Sequence, residues 1–164
     1  MNKNFKIKNN RGFTLIEALI AFFILSIGML GIASLQAISL KAGKTSVYTS
    51  VATMKVDEVL ESMRANPGAL ATYMGAGAAN NCWDAAVCTE IQLAEDDVFL
   101  WQKNLKDGLP STATGVVRVI AATAPSKMAT VEITVSWKER NKTAAGSVDK
   151  SFKTTAYICT AVPC

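Results

Sequence analysis

The sequence predicts an α+β chain. One long N-terminal helix, apolar in its first half and amphipathic in its second, packs on an antiparallel sheet of about three to four strands, and a second, short helix accompanies it. Three observations predict this. An apolar run fills residues 13–33, an apolar stripe at helical spacing continues it as far as residue 64 without a proline, and beyond residue 115 the apolar period changes to two.

The apolar run comes first. Before Gly12 every charge is positive (Lys3, Lys6, Lys8, Arg11), and the 21 residues from Phe13 onward contain a single ionised side chain, Glu17. A helix over this run is roughly 31 Å long at about 1.5 Å per residue, enough to cross a hydrocarbon core of about 30 Å. An acid in such a run costs about 2.5 to 3.5 kcal/mol at mid-membrane and less one turn from the interface, so Glu17 needs a partner. Two plainer readings leave Glu17 unexplained. A secretory signal cleaved after Gly31-Ile32-Ala33 would have an apolar region well over the usual length of about 7 to 15 residues and would not explain Gly12-Phe13, and a simple single-span anchor gives Glu17 no role. The run has no cysteine, so it is not a lipoprotein signal. Gly28 and Gly31, with Ser26 and Ser34, are small residues of the kind that let helices approach closely in lipid.

The helix has no reason to stop at the interface, since residues 34–64 contain no Pro and only Gly43. Tyr48, Ala52, Val56, Val59 and Met63 recur at four, four, three and four, with Val51 and Leu60 widening the stripe. Lys44, Lys55, Asp57, Glu58 and Glu61 fall mostly off it, and Val47 and Met54 remain on the other face. Asn66-Pro67-Gly68 ends the helix, because proline has no donor for the preceding turn and disfavours the helical region for Asn66.

Residues 68–81 are rich in Ala and Gly and uncharged, and read as a loop with at most one short helical turn. Thr89-Glu90-Ile91-Gln92 has the form of a capping box and opens a helix over residues 90–106, whose Ala94, Val98, Trp101 and Leu105 face a core. Glu95, Asp96 and Asp97 read as a solvated helix start rather than a metal cluster. Asp107-Gly108-Leu109-Pro110 closes that helix. Residues 116–120, 131–137 and 147–159 are β-branched, aromatic or alternating, with Ala124-Pro125-Ser126-Lys127 as the first turn, and short connections make them an antiparallel meander.

The organisation is therefore a basic leader (1–12), a membrane half of the long helix (13–35) and one globular domain (36–164). Four of the 17 basic residues lie in the leader, leaving 13 against 13 acidic ones, so the +4 net charge is no nucleic-acid footprint. The four cysteines, Cys82, Cys88, Cys159 and Cys164, all come after the apolar run. Lys and Arg favour the cytoplasmic side, which puts the domain outside, where disulfides form. Three connectivities are open, with local pairing preferred. There is no histidine, no C-x-x-C and no Walker-type loop, which argues against enzyme chemistry, a metal or another cofactor.

The basic leader followed by Gly12, Phe13, Thr14, Leu15, Ile16 and Glu17 resembles the prepilin signal of type IV pilins and type II secretion pseudopilins. The resemblance implies a pilin-like fold. It also implies cleavage by prepilin peptidase between Gly12 and Phe13, N-methylation of Phe13, and pairing of Glu17 with the terminal amine of a neighbouring subunit. The run Ile24-Leu25-Ser26-Ile27-Gly28-Met29-Leu30-Gly31-Ile32-Ala33-Ser34-Leu35-Gln36, with Glu61-Ser62-Met63-Arg64-Ala65-Asn66-Pro67, is similar to the PilV group of type IV pilus minor pilins. Abundant filament-forming pilins carry a proline at the position that here is Ser34. The implied role is a minor pilin in the complex that primes pilus assembly, at the pilus tip. Its implied partners are other minor pilins, the major pilin, a tip adhesin and the inner-membrane assembly platform, with the domain in the periplasm. The alternative is a minor pseudopilin of a type II secretion system.

Overall fold

A computed structural model describes residues 12–84, 87–140 and 146–160. The chain divides into two compact units, Met1–Lys44 and Thr45–Cys164. Helix α1, Leu15–Ala65, contributes to both.

In the first unit, Thr14 starts the helix. Its carbonyl accepts from the N–H of Glu17 at 3.1 Å and of Ala18 at 3.2 Å, and its hydroxyl oxygen also takes the Glu17 N–H at 3.3 Å. Every large apolar side chain from Phe13 to Leu40 is exposed, on all sides of the helix. The helix is long and apolar enough to cross a membrane, with a mean hydropathy of 2.4 over its most apolar window. Ser26 returns its hydroxyl hydrogen to the Phe22 carbonyl at 2.8 Å, which satisfies the donor without water.

In the second unit the expected stripe is the core face of α1: Ala52, Val56, Val59, Leu60 and Met63 are buried, and Tyr48 and Val51 pack at their margin. The helix stops at Ala65, one residue before Asn66-Pro67. The segment after it is more ordered than the expected loop. A 3-10 stretch, Pro67–Met74, buries Ala69, Leu70 and Tyr73.

Helix α2, Glu90–Asn104, opens with the expected capping box: Thr89 Oγ1 accepts from the Gln92 N–H and Gln92 Oε1 accepts from the Thr89 N–H. Ala94, Val98, Trp101 and Leu105 are buried. The Trp101 indole donates to the Lys55 carbonyl at 2.7 Å, which ties α2 to α1.

The sheet is a three-stranded antiparallel meander of β1 (Thr114–Ile120), β2 (Met128–Arg140) and β3 (Ser147–Cys159), with β2 central. Paired residues share a face, so the register sorts the two sides. Ala129, Val131, Ile133, Val135 and Trp137 of β2 face the core, opposite Ile158, Ala156, Thr154, Phe152 and Lys150 of β3. The other face carries Thr130, Glu132, Thr134 and Ser136 beside Tyr157, Thr155, Lys153 and Ser151. The fold is thus α+β and pilin-like in layout, a long N-terminal helix packed on a three-stranded sheet with a shorter helix.

The start of β1 is fixed by close approach. A methyl group on Gly115 would lie 2.2 Å from the Trp101 ring, so only glycine lets the strand pass. Gln102 holds the same glycine at both backbone groups, donating to its carbonyl at 2.6 Å and accepting from its N–H at 3.2 Å.

Candidate processing and assembly site

Gly12, Phe13 and Glu17 lie at the start of α1. Gly12 and Phe13 precede the first helical residue and are exposed, and no heavy atom lies within 4 Å of where a Gly12 Cβ would be. A bond in uncrowded backbone outside a helix is what a peptidase can thread into its site; one inside a hydrogen-bonded helix is not. Glu17 is four residues on, at the first turn of α1, and has no ion-pair partner among the described residues. Its carboxylate therefore sits among exposed apolar side chains (Phe13, Ile16, Ile20) with its compensation still to be supplied. The basic leader residues Lys3, Lys6, Lys8 and Arg11 lie outside the described residues.

The cysteines have a different use. Cys82 and Cys88 form a disulfide across a sequence separation of 6. Cys159 is also disulfide-bonded; Cys164, its expected local partner, lies outside the described residues. The small Cys82–Cys88 loop holds up Trp83, which is 82% exposed.

The acidic trio on α2 is not a solvated helix start. Asp96 is buried, and its carboxylate accepts three successive backbone N–H groups: Asn80 at 2.8 Å and Asn81 at 3.0 Å on Oδ1, and Cys82 at 3.2 Å on Oδ2. Asn80 also donates from its side chain to the Gln92 carbonyl and to Glu95 Oε2, both at 3.0 Å. Asp97 accepts from the Tyr73 hydroxyl at 2.7 Å. Burial raises the Asp97 carboxyl above its ordinary value, the Tyr73 hydrogen bond opposes the rise, and the charge on Asp96 adds to it. The Tyr73 hydroxyl is raised in turn, by burial first and by Asp97 second. Charge density at a helix start implies solvent only when nothing folds over it. Here the Ala/Gly loop does, with Gly77 at φ +75° against the α2 backbone and the Ala78 N–H on the Glu95 carbonyl at 3.0 Å. The pair Asn80-Asn81 ahead of Cys82 was the one signal in the sequence for such a turn.

This arrangement contains an exposed, uncrowded peptide bond ahead of an apolar helix, an acid with no ion-pair partner among the described residues, and a disulfide-stapled loop clamped to α2. Among the described residues no group of three or more His, Cys, Asp or Glu is placed to hold a metal ion.

Compared with known families, residues 7–33 match the family described as the prokaryotic N-terminal methylation motif. The match spans Gly12, Phe13 and Glu17 and supports a type IV pilin-like protein, processed by prepilin peptidase and assembled with other pilins. No curated protein and no solved structure matches the chain.

Proposed function

We propose that this chain is a minor pilin of the PilV group of type IV pili, a low-abundance subunit that joins sibling minor pilins to prime pilus assembly and is carried at the pilus tip. Before assembly it is held in the inner membrane by the first half of α1, with its domain in the periplasm. The observation that carries the reading is Glu17. A carboxylate with no ion-pair partner among the described residues, four residues beyond Phe13 on a stretch that is otherwise apolar all round, is a cost unless a neighbour's amine meets it. Cleavage after Gly12 creates that amine. Each processed subunit then carries both halves of the pair, which a neighbour completes.

Two further features support a specialised subunit. Ser34 stands within an unbroken α1 where abundant pilins have proline. The exposed face of α1 carries Val47 and Met54, 58% and 69% exposed, among charged residues, a mixed surface suited to one specific neighbour.

The test is the amino terminus. Co-expressed with a prepilin peptidase, the chain should yield a protein beginning at N-methylated Phe13 by mass spectrometry. A start at Ser34, or an intact leader, would remove the pilin reading. Co-purification with minor pilins rather than with secretion-system subunits separates it from a pseudopilin.

A further inference from the structure

The sheet has two edges, and they are treated differently. Along β1, the 3-10 segment and the residues after it run as a flank: Leu70 and Ala71 share a cavity of about 390 Å³ with Val119, and Met74 to Ala76 share one of about 260 Å³ with Gly115 to Val117. At the other edge, β3 pairs with β2 across 13 residues and with no other strand among the described residues. A strand edge is a row of N–H and C=O groups that pairs with any suitable extended backbone.

The core row also stops short at β3. Val131, Ile133 and Val135 of β2 are fully buried, whereas their partners Ala156, Thr154 and Phe152 are only half-buried. A helix about 10 Å across covers about two strands at a spacing of about 4.8 Å, and a third is left at the margin. At the end of this row Lys150, opposite Trp137, is exposed and has no ion-pair partner among the described residues. On the outer face Lys153 is already paired with Glu132 at 3.2 Å.

We infer that the β3 edge takes a fourth, antiparallel strand from a different polypeptide, with apolar residues set against Ala156, Thr154 and Phe152 and a carboxylate against Lys150. The occupant is extended protein backbone because the groups along the edge are a strand's N–H and C=O. Its alternation comes from the half-covered row and its acid from Lys150.

A second copy of this chain does not meet these requirements. Head-to-tail addition needs a free β1 edge, which is flanked. Edge-to-edge pairing of two β3 strands runs around a two-fold axis. An antiparallel pair sets core-face residues against core-face residues, and the core row of β3 (Val148, Lys150, Phe152, Thr154, Ala156 and Ile158) offers no acid to Lys150. A parallel pair turns one sheet over. It would place Ser151, Lys153 and Thr155 of the copy beside Phe152, Thr154 and Ala156, leaving the apolar row uncovered.

The test uses the mature full-length chain in detergent micelles and a synthetic peptide, acetyl-Thr-Val-Thr-Ile-Thr-Val-Thr-Glu-amide, whose apolar residues and acid match the row in antiparallel order. Amide exchange, read residue by residue by NMR, should slow between Phe152 and Ala156 when the peptide is added. Backbone N-methylation of alternate peptide residues should weaken binding at least tenfold. Lys150→Glu should weaken it similarly, and a peptide ending in Lys should restore binding to that variant. No protection by the matching peptide, or equal binding of the N-methylated one, overturns the inference. A homodimer in sedimentation that the peptide dissociates would make a second copy the occupant and overturns it as well.

Discussion

Glu17 and Asp97 are both carboxylates in costly surroundings, and they answer to different partners. Glu17 has none among the described residues, so replacing it removes a cost from the isolated chain and a contact from the assembly. Glu17→Ala should insert into membranes as well as the parent or better, yet fail to enter complexes with other pilins; normal complex formation would assign the acid another purpose. Asp97 has Tyr73. A carboxyl raised in the folded chain contributes stability below its unfolded value of about 4 and loses that contribution as pH rises through the folded value, because ionisation is easier in the unfolded chain. Asp97→Asn keeps an acceptor for the Tyr73 hydroxyl and has no charge to bury. Relative to the parent it should gain stability as pH rises from about 4 to 7, measured by denaturant titration at each pH. A parent and variant with parallel pH curves would contradict that sign.

At the level of elements, the α2–β1 junction is the tightest fit in the domain. Trp101 is 2% exposed and anchored through its indole to Lys55, so it has no room to retreat from an added methyl group. Gly115→Ala should cost about 2 to 3 kcal/mol by overpacking, seen as a lower denaturation midpoint with an unchanged slope. A loss within about 0.5 kcal/mol would mean the ring can shift. The elements themselves were legible because each rests on a local signal. The Tyr48 to Met63 spacing fixes a helix face, Thr89 and Gln92 cap α2, and Val131 to Trp137 alternates. The candidate cleavage and assembly residues were legible for a similar reason, since Gly12, Phe13 and Glu17 stand at fixed spacing within one short segment. Asp96 was not. Its burial depends on a loop from residues 75–82 folding back over α2, and the Ala/Gly composition of that loop says nothing of where it goes. Gly115 was equally silent, because its constraint is the Trp101 ring, 14 positions earlier in the chain.

Taken whole, the chain joins an N-terminal unit whose large apolar side chains, among the described residues, are all exposed to a domain whose apolar side chains have largely found one another. The first asks for lipid or neighbouring helices; the second carries its own core and its disulfides. The three tryptophans are distributed unevenly across that domain. Trp101 and Trp137 are 2% and 3% exposed, whereas Trp83 stands on the stapled loop, 82% exposed. The protein is therefore its own fluorescent probe. In the native state acrylamide should quench one emitting population, the red-shifted one, and leave two nearly untouched. Trp83→Phe should abolish the quenchable fraction without altering the fold. Any subunit that covers the Cys82–Cys88 loop would then announce itself as a blue shift and a loss of quenching, with no label attached.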